Sequence, residues 1–134
     1  MKCLSIHQPW ADLEVEGRRG LEIRKWSHPH RGPLLIHAGL KVEKEECKRL
    51  GVIPSVTGAI IGLVHLVDIR LLLSENEWER LRSKHLEAGG RCYGDQTYGW
   101  FLEKAYRFPK AIPFRGVLGV FEVNERILPK RLSA

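Results

Sequence analysis

Cysteine is scarce in this chain of 134 residues: Cys3, Cys47 and Cys92 stand far apart, with no CxxC pair among them. An odd, scattered set excludes a disulfide framework and a thiolate zinc site, and it fits reduced thiols in a cytoplasmic protein. Long apolar runs are missing as well. The longest, around Ala59 to Leu73, is broken by His65, Asp68 and Arg70 and is unable to span a bilayer. Met1 and Lys2 lead straight into a strand pattern rather than into the apolar stretch of a signal peptide. The expectation is therefore a soluble, cytoplasmic protein with no membrane partner. There are no internal repeats and no low-complexity tracts. GxSxG, a Walker loop, a GxGxxG in strand-to-helix context and a catalytic Cys–His signature are all lacking, which leaves the commoner enzyme chemistries without support. His28 and His30 flank a proline, but no third ligand follows at a diagnostic distance, so neither a metal nor another cofactor is expected.

What is present is a chain long enough for one domain with a real core and too short to divide comfortably into two. Lys and Arg number 22 against 16 Asp and Glu, a net charge of +6, with an isoelectric point near 9.5. That excess is compatible with a polyanionic partner, although many basic proteins have none.

Lys2 to Ile6 reads as a strand, followed by a short helix from Trp10 to Glu16 with Pro9 at its start and Gly17 at its end. Leu21 to Trp26 alternates, with Leu21 and Ile23 on one face and Glu22, Arg24 and Trp26 on the other. After the turn-rich run from His28 to Pro33, Leu34 to Ala38 is a further strand and Glu43 to Leu50 a helix stopped by Gly51. Ala59 to Leu71 is β-branched and aliphatic, with Gly58 and Gly62, and predicts a long, central, bent strand. Ser74 and Glu77 form a capping box for a helix to about Leu86, ended by Gly89 and Gly90; Glu77–Arg80 and Glu79–Arg82 would pair along it. Tyr98 to Tyr106 and Arg115 to Val123 close the pattern as strands. Residues 1–124 form the single domain, and 125–134 a basic, frayed tail. Because strands and helices do not alternate regularly, a doubly wound parallel sheet is excluded in favour of an α+β fold, a small, mostly antiparallel β-barrel decorated by about three helices.

Chemistry crowds into the first 39 residues. On a strand, Glu22 and Arg24 project from one face about 7 Å apart. If that face lines a cleft, Arg24 binds a phosphate or carboxylate and Glu22 orients it, accepts from a base or transfers a proton. The alternative is an exposed face carrying a surface ion pair. Gln8 and Trp10 sit at the strand-to-helix junction, where Gln8 would read a base edge from an exposed position, while Trp10 either stacks on a base or packs in the core. Arg18, Arg19, Lys25, His28, His30 and Arg31 surround the segment with cationic groups suited to phosphate, or else form a solvated basic loop. Asp68 and His65, three apart on one strand, fall on opposite faces unless a bulge intervenes.

Taken in order, Leu4-Ser5-Ile6-His7-Gln8-Pro9-Trp10, Gly17, Leu21-Glu22-Ile23-Arg24, Arg31-Gly32-Pro33-Leu34-Leu35-Ile36-His37, Gly58 to Val64, Tyr98-Gly99-Trp100, Pro113-Phe114-Arg115-Gly116 and Leu118 to Phe121 resemble the ASCH domain, the activating-signal-cointegrator homology family of the PUA-like superfamily. The resemblance implies a PUA-like barrel with a cleft lined by the first helix and the Glu-x-Arg strand. Gln8, Trp10, Glu22 and Arg24 would face that cleft, with Arg19 at its mouth. It also implies a nucleic-acid ligand: RNA first, DNA second, or a nucleotide-like small molecule. Some single-domain members resemble amidohydrolases of an acylated cytidine that use a Lys, a Thr and a carboxylate. Here Arg19 and Glu22 occupy the Lys and Thr positions, and an always-protonated Arg is no base.

The expected activity is thus binding without turnover. Arg19, Arg24, Lys25 and Arg31 would hold phosphate, Gln8 and Glu22 would hold a base, and Trp10 or Trp26 would offer a stacking face. Two alternatives are a small hydrolase of a modified nucleoside or RNA, built on Glu22, Arg24 and Asp68, and a protein-interaction module.

Overall fold

The computed structural model describes residues 1–130. A six-stranded mixed sheet carries the fold: β1 (Lys2–Gln8), β2 (Leu21–Arg24), β3 (Gly32–Val42), β4 (Ala59–Leu71), β5 (Tyr98–Pro113) and β6 (Val120–Glu122), in the order β2-β5-β4-β3-β1-β6. Only β1 and β3 run parallel; the other four pairings are antiparallel. The helices are α1 (Trp10–Val15), α2 (Lys44–Leu50), α3 (Glu75–Arg80) and α4 (Arg82–His85). The α+β class is as expected, but the barrel is not. Among the described residues the sheet stays open, with β2 and β6 as its two edges. Both are short, and the Arg115 to Val123 segment, expected as a full strand, pairs only over Val120–Glu122. Its first residues instead form a loop, Phe114 to Gly119, that curls over the sheet's end.

Strand β4 spans the predicted residues and sits at the centre, pairing with β3 and β5 through several register shifts. Most of its apolar residues are buried, on both faces, as expected of a covered sheet, with Val67 the exposed exception. Leu4, Ile6, Leu34, Ile36, Ile61 and Trp100 pack with α1 on one side, while Cys3, Leu35, Ile60, Phe108, Val123 and Leu128 form a second cluster. Alternation along the strands directs the two sets to opposite faces. Leu128 belongs to the segment expected to fray, and it is buried after a 3-10 turn over Glu125–Ile127; residues 131–134 of that tail lie outside the described residues.

Helix α1 is short and buried all round, including Asp12 and Glu14. It begins after a cis Gln8–Pro9 peptide. Burial of Asp12 would raise its pKa, but hydrogen bonds from the Ser55 hydroxyl and amide and from Arg107 outweigh that and hold it below the usual carboxylate range. The predicted Ser74 cap is present, its hydroxyl accepting from the Glu77 amide at 3.1 Å. The helix it starts breaks at Leu81 and stops at Leu86, which adopts a left-handed φ of 61°, before the glycines are reached. Glu77 turns to Arg70 rather than Arg80, whereas Glu79 and Arg82 pair as expected. Among the described residues no helix is long and apolar enough to cross a membrane.

Gly62 sets how closely α1 approaches the sheet. A Cβ there would lie 2.4 Å from the Tyr106 carbonyl oxygen and 2.7 Å from Val15 Cγ1. Gly62→Ala is expected to destabilise the domain by about 1–3 kcal/mol through overpacking, read as a lower urea midpoint at unchanged m value.

Candidate functional site

A cavity of about 800 Å³ opens where β1, α1, β2 and β3 meet the loop Phe114 to Gly119 and the segment from Glu87 to Tyr93. Its floor is built around Arg19, delivered by the turn between α1 and β2. That guanidinium is 2% exposed and lies 3.9 Å over the Trp10 ring. Glu87 meets it at 2.8 Å, Glu22 at 3.2 Å and Glu14 at 3.3 Å, and its Nε donates to the Leu21 carbonyl. Glu22 also accepts from Arg24 Nε at 2.7 Å, while Arg24 Nη2 donates to the Ser5 carbonyl at 2.9 Å. Strand alternation thus puts Glu22 and Arg24 together as read from the sequence, and the face is buried rather than solvated.

The electrostatics of this floor are self-contained. Desolvation pushes the Glu14 carboxyl well above the usual range, and the neighbouring Glu22 charge adds to the rise. Neither carboxyl oxygen of Glu14 has a hydrogen-bond partner among the described residues. Burial alone would raise Glu22 too, but the Arg24 and Arg19 guanidiniums bring it below the usual value. Glu87 is raised by burial despite its contact with Arg19. Two guanidiniums, Arg19 and Arg24, thus lie among three acids, Glu14, Glu22 and Glu87.

The residues expected at a ligand site are divided by the fold. Trp10, Arg19, Glu22 and Arg24 line the cavity together. Arg19 is in its floor rather than at its mouth. Gln8 is fully buried, not exposed, with its amide donating to the Val56 carbonyl and accepting from the Asp12 amide. Lys25, Trp26 and Arg31 are outside the lining. Trp26 packs edge-on against Trp100 at 4.9 Å. Arg31 sits 3.6 Å from Asp68, which borders a smaller hollow on β4 and β5. Glu22, Arg24 and Asp68 are therefore not assembled into one centre.

Other lining residues escaped the sequence reading. Arg115 is exposed and makes no ion pair among the described residues. Tyr93, 46% exposed, presents a ring whose faces are not covered by a guanidinium, unlike Trp10. Cys92 lies beside Glu87, and desolvation and that carboxylate push its thiol up to about 12. His37 and Ser5 face each other across β1 and β3. Glu14 had a signal in the sequence, an acid between Leu13 and Val15 one turn after Trp10. Glu87 had none, since 68 residues separate it from Arg19.

The sequence model of the ASCH domain matches residues 4–111. The chain belongs to the ASCH domain family. Human Activating signal cointegrator 1 is 56% identical over 39 residues, 29% of this chain, and the mouse protein of the same name is 36% identical over 80 residues, 49% of this chain. These matches span only 7% and 14% of those two proteins. Crystal structures of ASCH from Zymomonas mobilis and of a point mutant of that protein each superpose with a TM-score of 0.71 at 14% identity. They cover 98% of this chain and 93% and 96% of theirs, so the overall fold is shared. In this ASCH domain Arg19 is locked among three acids.

Replacing Glu14 by glutamine keeps the side chain's shape and polarity and removes its titration. Glu14→Gln is expected to shift stability by less than about 1 kcal/mol, whereas Glu22→Gln, which leaves two buried guanidiniums short of charge, is expected to lose about 3 kcal/mol. Because the folded protein binds the Glu14 proton more tightly than the unfolded chain, stability should fall as pH rises above 4.5, its ordinary value. Urea titrations across pH should show that fall flattened in Glu14→Gln.

Proposed function

We propose that this ASCH domain binds single-stranded RNA by taking one unstacked nucleotide into the cavity. The observation that carries this reading is the pairing of both floor guanidiniums with carboxylates. A cleft meant to absorb phosphate would present free cations, but Arg19 and Arg24 are already matched, so the floor offers directional hydrogen bonds rather than an unpaired positive charge. That suits a nucleobase. Arg24 has N–H groups left after serving Glu22 and Ser5, and each Glu22 oxygen can accept once more, which gives the donor and acceptor pair that a base edge requires. Tyr93 supplies the stacking face. The flanking phosphate falls to Arg115, the unpaired cation of the wall. Glu22, held ionised by two guanidiniums, is a poor general base, which supports binding over the Glu22-based hydrolase.

Fluorescence anisotropy with a short single-stranded RNA at several salt concentrations tests this. Few phosphates are engaged, so log K should fall with log salt at a slope no steeper than about −2. Arg115→Ala and Tyr93→Ala should each weaken binding roughly tenfold, the loss of a stack being worth about 1–3 kcal/mol. Binding untouched by either substitution, or carried instead by Lys25 and Arg31, would refute the assignment.

A further inference from the structure

We propose that Ser5 and His37 form a nucleophile–base pair that hydrolyses a carboxylic ester of a polar, hydroxylated alcohol held in this cavity. The two residues are register partners on the parallel strands β1 and β3, so backbone pairing fixes their side chains on the same face. Ser5 Oγ lies 2.9 Å from His37 Nδ1, and His37 Nε2 lies 2.7 Å from the Phe114 carbonyl oxygen. A carbonyl only accepts, so Nε2 carries the hydrogen. In the neutral imidazole this leaves Nδ1 to accept from the serine hydroxyl. The arrangement is that of an activated serine: a base within hydrogen-bond reach, itself oriented by a third group. His37 is 2% exposed, whereas Ser5 is half-buried and lines the cavity.

Two glycines keep space around the hydroxyl. A Cβ on Gly39 would lie 3.1 Å from Ser5 Oγ. One on Gly116 would lie 3.1 Å from the same oxygen and 2.6 Å from His37 Cε1. Neither has a positive φ, so what glycine supplies at both positions is room rather than backbone freedom. Gly116 thereby brings bare main chain against the reacting pair, which is what peptide N–H stabilisation of an oxyanion needs.

The cavity lining is chemically mixed. Leu40, Val117 and Leu118 line it while remaining exposed, a surface for an apolar acyl group. Arg24, also in the lining, is bonded to the Ser5 carbonyl and to Glu22, suited to a hydroxylated leaving group. In the reaction Ser5 Oγ forms a bond to the ester carbon as its proton passes to His37 Nδ1. The ester C–O bond breaks, and the alcohol leaves with that proton. Water then attacks the acyl-serine, gives its proton through His37 to Ser5, and releases the carboxylic acid.

Intact protein treated with a fluorophosphonate, followed by peptide mass spectrometry, reads the nucleophile directly. The adduct is expected on Ser5, and its formation should be lost in His37→Asn, which retains the serine. With p-nitrophenyl acetate and p-nitrophenyl butyrate, Ser5→Ala and His37→Asn should each lower hydrolysis at least roughly 100-fold, with the fold checked by circular dichroism. An unlabelled Ser5 in the wild-type protein overturns the proposal whatever the variants do, as does wild-type hydrolysis equal to that of folded Ser5→Ala. RNA binding is measured separately, so either activity can fail without the other.

Discussion

The structure turns on one buried guanidinium. Arg19 ties the Trp10 face of α1, Glu14 within that helix, Glu22 on β2 and Glu87 from the far side of the chain to a single charge. A lone arginine in such a place would be untenable, and three ionised acids around it would be nearly as bad. Burial and the neighbouring Glu22 charge raise the Glu14 carboxyl, which eases that crowding. The cost is that the floor has little charge left to offer a ligand. Its worth lies in positioning: Glu22 and Arg24 are held by neighbours before anything binds, which is the preorganisation that recognition of a small polar group exploits.

Strand patterns were legible where local chemistry decides them. Ala59 to Leu71 could be bounded from composition because β-branched residues between glycines fit only a buried strand. The Glu22–Arg24 contact followed from a period of two. Closure of the sheet did not follow, because it depends on whether β2 and β6 meet, a long-range matter with no local signature. The helix after Ser74 broke early for a similar reason. Arg82 reaches back to the carbonyls of Glu87, Ala88 and Gly89, and His85 bonds the Trp78 carbonyl, contacts that no propensity encodes.

The site was half legible. Residues close in sequence, from Trp10 to Arg24, could be gathered from a motif. Those contributed from afar could not: Arg115 reads as one more surface cation, and His37 reads as a histidine inside an apolar strand. Gln8 misled because its amide serves the backbone of α1 and of the loop between α2 and β4, and an amide buried for that purpose looks no different in sequence from one aimed at a ligand. Basic residues also misled by number. Lys25 and Arg31 are close in the chain to Arg24 yet outside the lining, so local charge density was a poor guide to where charge is used.

The parallel pairing of β1 with β3 has a consequence for how such a domain diversifies. One wall of the cavity is sheet, its side chains spaced by backbone hydrogen bonds that tolerate little change. The opposing wall is made of two connections, Glu87 to Tyr93 and Phe114 to Gly119, which can lengthen, shorten or change residue without touching the ladder. A scaffold divided in this way can exchange ligands by rewriting its loops alone. An overall fold shared with the Zymomonas mobilis domain at 14% identity is compatible with such a division.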